Sequence, residues 1–574
     1  MNFLPITKQD KSFDIILVSG DAYIDHPSFG TALIGRFLEA HGFSVGIIAQ
    51  PDVAADADFL KLGTPNLFFG ISSGNMDSMV NHYTAQQKIR SEDAYSPNGK
   101  TGLRPNRATI IYSQKIKSLF KKVPIVIGGL EASLRRIPHY DYWSDKVRNS
   151  VLFDSKADIL VYGQGEKPIL EIARSISQGN TTDIRGTAVI SKTFDKDKGI
   201  ELPEFSRQFT KDKFLNMTNI YEKHFRNKTL YMKFQNRYLK HNKPAEAMPE
   251  KELDFIYNLP FTRLPHPVYK GKKLPAFEQI KNSITSHRGC FGGCNFCAIG
   301  KHQGKTITSR SIKSVKNEIS QVTKTPGFGG TISDVGGPSA NMYGMFCKKN
   351  ISETCPRNSC IYPDICPNLA HSHKPNVQLL KRCSDVEGVE HLFVASGIRF
   401  DIALNEPQYI SQIADKHTGG LLKLAPEHTN DKVLEHMFKP SFDQYTDFVK
   451  KFAAESKKLN KKQFTVPYII VGHPGSSLKE TLQMAVFLKK NNIKLKQIQE
   501  FTPTPMSIST MMYYTGKDLN GNDLHIPKGR EIKLQKALAQ WFIPSNKKYI
   551  IEALKRIGRA DMMNFFLGAK KEKM

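Results

Sequence analysis

The sequence predicts an α/β protein: a Rossmann-like N-terminal domain, then a partial (βα)6 barrel and a short basic C-terminal extension. Two stretches in which short apolar strands alternate with amphipathic helices give the two units, and the segment between them lacks the pattern. The third observation is the run Cys290-Phe291-Gly292-Gly293-Cys294-Asn295-Phe296-Cys297. It follows the first strand of the second stretch, at the strand end where barrels of parallel strands keep their chemistry. At 574 residues the chain is too long for one core. The expected boundaries are 1–185 for the Rossmann-like domain, 186–280 for a basic aromatic connector, 281–515 for the barrel and 516–574 for the extension.

In the first unit, Phe13 to Ser19 reads as a strand, Thr31 to Ala40 as a helix ending near Gly42, and Ser44 to Ala49 as the next strand. Asn66 to Ser72, Pro124 to Leu130 and Ala157 to Gly163 follow as strands, and Pro168 to Ile176 as a helix. Strand and helix alternating in this way imply a doubly wound parallel sheet that binds ligands at its strand C-termini. Phe205 to Lys243 is rich in lysine and arginine with eight interleaved aromatics, from Phe205 to Tyr238. Such a segment would suit phosphate contacts and base stacking. Several aromatics also fall at helical steps of three or four, which reads as a helical connector with buried rings and solvated lysines. We take the connector reading.

The second unit yields six strands. They are Asn282 to Arg288, Gly330 to Val335, Glu390 to Gly397, Gly420 to Ala425, Phe464 to Gly472 and Leu495 to Phe501. Helices are expected between them, among them Ser311 to Val322, Pro407 to Lys416 and Leu478 to Lys490. Crossovers of this kind make an open barrel of parallel strands.

The spacing C-x3-C-x2-C puts three thiolates on one tight loop. A cubane of four irons held by three thiolates keeps one iron without a protein ligand, and catalytic metal sites keep such a position open. A zinc knuckle with His287 or His302 as fourth ligand is the alternative, but it lacks the short regular spacing of structural zinc sites.

The triplet, with an aromatic before its last cysteine, resembles the radical S-adenosylmethionine (SAM) superfamily. The resemblance implies that Cys290, Cys294 and Cys297 hold a [4Fe–4S] cluster whose open iron chelates SAM. One electron then splits the sulfonium into methionine and a 5′-deoxyadenosyl radical. It further implies SAM contacts at Phe296, at Gly336-Gly337 after the second strand and at Glu427 after the fourth. Val471-Gly472-His473-Pro474-Gly475 is similar to the superfamily's turn after strand five. Arg399, which ends the third strand beside Asp401, is a candidate to grip the SAM carboxylate or an anionic substrate. The superfamily also implies an electron donor such as flavodoxin or ferredoxin.

Gly128-Gly129-Leu130-Glu131-Ala132-Ser133 and Gly163-Gln164-Gly165-Glu166 resemble the cobalamin-binding-like domains found before many such barrels. In Asp25-His26-Pro27-Ser28-Phe29-Gly30 the histidine stands one place too early for a cobalt ligand, so cobalamin binding is left open. Gly20 to Gly30, Asn75 to Met79, His139 to Asp145 and Met511 to Gly516 are similar to the YgiQ-type bacterial family, whose reaction is unsettled. Methylation, sulfur insertion and rearrangement all stay open, on a small-molecule or RNA substrate.

Cys347, Cys355, Cys360 and Cys366 form a second group, with Cys383 farther on. Four thiolates would close a zinc site or an auxiliary iron–sulfur cluster, and spacing does not separate the two. The net charge of +28 invites a nucleic-acid reading. Its lysines, however, are spread along the chain. A zinc-containing RNA-binding protein is the rival function. With no apolar run near 18 residues and no secretory leader at Met1 to Lys11, the expected compartment is a reducing cytosol.

Overall fold

A computed structural model describes residues 2–568. The last residues of the expected extension, 569–574, lie outside the described residues.

The N-terminal unit is built on one nine-stranded sheet. Its strands are β1 (Ile15–Ser19), β2 (Val45–Ala49), β3 (Phe68–Ser72), β4 (Ile125–Gly128), β5 (Ile159–Val161), β6 (Thr187–Ser191), β7 (Gly199–Leu202), β8 (Thr229–Phe234) and β9 (Arg237–His241). In space they run β7-β8-β9-β6-β5-β4-β3-β1-β2. The strands β2-β1-β3-β4-β5 are mutually parallel, the doubly wound order with its switch point between β1 and β3. They are buried on both faces, which is why they read as continuous apolar runs.

The unit does not end at residue 185, as the sequence suggested. β6 pairs antiparallel with both β5 and β9, and β8 carries β7 beyond them. The segment read as a helical connector therefore contributes the helix Lys211–His224 and two sheet strands. Its aromatics are packed: Phe209, Phe214, Tyr221 and Tyr231 are buried, the first three in the main core of this unit. The lysines that obscured the pattern lie at alternate or exposed positions of these elements.

The second unit is the expected barrel. Its strands are β10 (Ser283–Thr285), β11 (Thr331–Ile332), β12 (Asp334–Gly336), β13 (His391–Leu392), β14 (Leu421–Glu427), β15 (Phe464–Val471) and β16 (Gln499–Glu500). Parallel pairings run β10 to β12, β11 to β13, β14 to β15 and β15 to β16. A parallel bridge between Ile398 and Leu424 joins the β13 segment to β14. β11 and β12 are two parts of the expected second strand, so six βα positions close around one side. Residues after Gly516 form the helices Arg530–Ala539, Lys547–Arg556 and Met563–Leu567, which pack on the last barrel helix, Leu478–Lys490. No helix of the described residues is long and apolar enough to cross a membrane.

The two units share buried surface. The helix Ile508–Thr515, after the barrel, buries Met511 and Met512 in the N-terminal core, and Tyr514 stacks on Tyr140 at 4.7 Å.

If Phe205 to Tyr238 belongs to the sheet core, Phe214→Ala removes a buried ring and is expected to lower stability by about 3 kcal/mol. The exposed Lys223→Gln should stay within about 0.5 kcal/mol of the parent. Urea unfolding of both variants checks this, and equal stability of the two would return the segment to a loosely attached connector.

Candidate active site at the barrel mouth

The cysteine loop is fixed by its backbone. His287–Arg288 pairs antiparallel with Thr308–Ser309, and the Cys290 amide donates to the Gly304 carbonyl at 3.0 Å. The Asn295 amide and side chain donate to the Met437 and His436 carbonyls. Gly293 has φ +65°, and a Cβ there would lie 2.8 Å from the Asn358 carbonyl oxygen, so this position needs glycine.

Cys290, Cys294 and Cys297 are free and half-buried. Burial, with the charges of Cys294 and Cys290 adding to it, pushes the Cys297 thiol up to about 12. Burial also raises Cys290, with Cys294 adding, against opposing help from the Gly292 amide and Arg399. The three thiols are thus close enough to feel one another, as ligands of one cluster must.

Arg399 is buried against this group. Its Nε and Nη2 make a two-point pair with Asp401, at 3.0 and 2.6 Å, and its Nη1 donates to Cys294 Sγ at 3.3 Å. Burial alone would raise the Asp401 carboxyl, but the guanidinium and its hydrogen bonds hold it below the usual carboxylate value. The arginine fork is therefore filled by Asp401 and a thiol, and it does not stand open toward a carboxylate of SAM. The backbone of Arg399 is held in turn by Asn341, whose Oδ1 accepts from its amide at 2.8 Å and whose Nδ2 donates to its carbonyl at 2.9 Å.

Glu427 ends β14 across a register shift and has φ +70°, a strained conformation for a non-glycine residue. Burial raises its carboxyl, opposed by Lys439 and Arg399, and its charge is felt at Cys297. Phe296 packs instead toward Val433, Ile470 and Phe501, edge-on to His473 at 6.3 Å. Gly336 ends β12 and Gly337 follows it, close to Ser339, whose hydroxyl works against the raised Cys290 thiol. A Cβ on Gly337 would lie 2.6 Å from His287 Nε2, so glycine lets the strand end pack on that ring. The structure thus gathers Arg399 and Glu427 around the three cysteines, with Gly336-Gly337 at one side and Phe296 at another. Asn341, Ser339 and Lys439 were missed. Nothing in their local sequence marks them, because each acts across elements distant in the chain.

Both ring nitrogens of His287 are engaged, with the Ser339 carbonyl at 3.0 Å and the Ser286 hydroxyl at 2.9 Å. His302 is bonded to Ser133. His287 therefore does not stand free as the fourth ligand of a zinc knuckle. Among the described residues, no three His, Cys, Asp or Glu side chains converge as the ligands of a single ion do.

A cavity of about 640 Å³ lies between the two units. Ser72, Gly74, Gly128, Gly129 and Gly163, at or just past the C-terminal ends of sheet strands, form one wall, while Arg288, Gly336, Gly337 and Ser396 form the barrel side. His26 is fully buried and does not line it, although Pro27 and Ser28 do. A smaller cavity of about 200 Å³ touches Cys290, Cys294 and Cys297 and is edged by Arg226, Glu222, Lys301 and Lys305. Buried ion pairs cross between the units: Arg288 donates to Glu166 at 2.5 Å, its Nε also donating to the Tyr257 hydroxyl, and Lys301 donates to Glu222 at 2.5 Å.

A parallel open barrel with a three-cysteine loop after its first strand, behind a doubly wound sheet, defines a radical SAM protein. Residues 3–283 match the family described as radical SAM N-terminal, 284–488 the radical SAM superfamily, and 496–570 a domain of unknown function (DUF3362). A UPF0313 protein of Geobacter sulfurreducens is 46% identical over 588 residues, covering 99% of this chain and 97% of the relative. The UPF0313 protein YgiQ of Escherichia coli K12 is 42% identical over 640 residues, 98% of this chain and 87% of the relative. The chain belongs to the UPF0313 family and is a radical SAM enzyme, of the class that works with a [4Fe–4S] cluster and SAM. Among solved structures, the cobalamin-dependent SAM radical enzyme OxsB, with aqua-cobalamin and SAM bound, shares the fold. Its TM-score is 0.51 at 11% identity, covering 95% of this chain and 69% of that one. Nothing in these comparisons points to an RNA-binding protein.

Because Glu166 is the buried counterion of Arg288, Glu166→Gln is expected to cost about 3 kcal/mol. Adding Arg288→Met should recover most of that loss. Urea unfolding of the two single variants and the double gives the coupling, and additive losses would show that the pair does not join the units.

Proposed function

We propose that Cys290, Cys294 and Cys297 hold the [4Fe–4S] cluster and that the chain reductively cleaves SAM at this barrel mouth to start radical chemistry on a substrate in the adjoining cavity. The observation that carries this is the set of three half-buried thiols on one backbone-clamped loop, with Arg399 Nη1 3.3 Å from Cys294 Sγ. The donor set fits: thiolates suit iron–sulfur clusters, and three of them leave one iron for a further ligand. When bound, the cluster supplies one electron to the sulfonium of SAM.

The residues of this chain do the rest. Arg399 offsets thiolate charge and donates to sulfur, both of which make reduction easier. Asp401 fixes the guanidinium so that only Nη1 points at the loop. The strained and buried Glu427 offers a carboxylate to hydroxyl or ammonium groups of SAM. Gly336-Gly337 gives backbone close approach beside Cys290, and Phe296 walls the strand-five and strand-six side. Electrons come from a small reduced carrier such as flavodoxin or ferredoxin in a reducing cytosol. Whether methylation, sulfur insertion or rearrangement follows depends on what fills the cavity.

A second cofactor is favoured by one observation. The cavity of about 640 Å³ sits at the strand C-termini where doubly wound sheets take ligands, and OxsB, which shares the fold, is described as cobalamin-dependent. A corrin placed there meets hydroxyls and backbone from the sheet and no sheet histidine, since His26 is turned into the protein.

Anaerobically reconstituted protein with dithionite is expected to release 5′-deoxyadenosine from SAM, and Ala at any of Cys290, Cys294 or Cys297 should abolish release while the circular dichroism spectrum is kept. Undiminished release by all three variants would remove the cluster from this loop. The paired variant Arg399→Gln/Asp401→Asn, which leaves no buried charge alone, should retain its iron and be reduced only at more negative potential. An unchanged potential would reduce Arg399 to a packing role. For the second cofactor, His26→Ala should leave cobalamin affinity within about twofold of the parent, whereas a large loss with a changed corrin spectrum would make His26 a cobalt ligand.

A further inference from the structure

Residues 348–368 form neither helix nor strand; they sit against the cysteine loop, with Ser359 and Ile361 buried and the rest exposed or half-buried. A stretch this long without regular structure is uncommon in a compact domain unless something other than its own hydrogen-bond ladder orders it. Its two ends are joined by a short hairpin in which Cys347 pairs with Leu369, and the Leu369 amide donates to the Cys366 carbonyl at 2.9 Å. This brings the first and last cysteines of the group together. The Cys366 amide then donates to the Cys360 carbonyl at 2.8 Å, folding the chain back on Cys360.

Fasteners hold the rest of the segment from outside through its main chain. Arg226 Nη2 donates to the Cys355 carbonyl at 3.3 Å, and Lys305 Nζ to the Arg357 carbonyl at 2.9 Å. Arg357 itself donates to the carbonyls of Ser359 and Tyr362 at 3.0 Å. The Cys360 amide donates to the Phe291 carbonyl at 3.0 Å, and the Ser359 hydroxyl to the Gly292 carbonyl at 2.8 Å. All four thiols are left free, and the charges of Cys355, Cys366 and Cys347 are each felt at Cys360. Cys383, by contrast, is a buried residue of the barrel core and takes no part.

We propose that Cys347, Cys355, Cys360 and Cys366 hold a second iron–sulfur cluster, closed to substrate by its four thiolates. One feature favours a cluster over a single zinc: Cys360 and Cys366 share an apolar shell with Cys290, made by Phe291, Met342, Met345, Ile361 and Leu369, the kind of surround that sets a cluster's potential. With Cys360 bonded to the backbone between Cys290 and Gly292, the second site would buttress the cysteine loop. This inference does not require the first cluster.

The full chain with Cys290, Cys294 and Cys297 all changed to Ala, reconstituted anaerobically with iron and sulfide, is expected to keep about four irons and about four sulfides and an iron–sulfur absorbance. The complementary Cys347/Cys355/Cys360/Cys366→Ser chain should hold the same complement, and the parent about twice as much. One zinc and no iron in the triple variant after reconstitution would overturn the cluster in favour of zinc. A folded triple variant with no metal would overturn the site altogether. If the triple variant fails to fold, the single substitution Cys360→Ser in the otherwise natural chain decides: its iron should fall from about eight to about four, and an unchanged count contradicts the proposal.

Discussion

Everything at the barrel mouth depends on holding three thiols together in a buried place that disfavours their thiolate forms. Burial, with Cys294 and Cys290 adding to it, raises Cys297 to about 12. Once ionised, three thiolates on an unclamped loop would spread into solvent. The chain prevents this with backbone bonds on three sides, from Gly304, Met437 and Cys360, and with one cation, Arg399, whose own charge is fixed by Asp401. A cationic cluster relieves the same repulsion, and that is why a loop so unfavourable to three thiolates suits it.

The second constraint is alignment of two units across a cavity. Arg288 leads directly into the cysteine loop and is paired with Glu166, at the start of the helix after β5. Arg263 and Arg310 share Glu318 on the first barrel helix, and the Arg263 amide donates to the Asp25 carbonyl of the N-terminal unit. Buried charges of this kind add little net stability but strongly penalise any geometry that separates them. The cavity wall and the cluster loop are therefore held in one register. A ligand on the sheet edge and SAM on the barrel would face each other across a fixed gap.

Much of this was legible in the sequence, and for definite reasons. The helix Leu478–Lys490 starts with a capping box, Ser477 with Glu480, and was read to the residue. The parallel strands are buried on both faces and so appear as apolar runs. The strands β6 to β9 were not recognised: they form the end of the sheet that contains its antiparallel pairs, and β8 and β9 carry lysines and an arginine between their apolar positions. The cysteine triplet is local and needed no structure. The placement of Arg399 was only partly legible: the strand it was expected to end stops at Leu392, Arg399 precedes the helix Phe400–Ala403, and its partners Cys294 and Asn341 come from other elements. Phe296 and Gly337 turned out to meet protein, His473 and His287, at least as closely as any open space.

Electron paramagnetic resonance of the dithionite-reduced protein, recorded with and without SAM, tests the central claim most directly. If Cys290, Cys294 and Cys297 leave one iron open to SAM, the reduced protein gives a cluster signal whose shape changes when SAM is added. A reduced cluster signal indifferent to SAM, or no such signal in iron-loaded protein, would contradict the account.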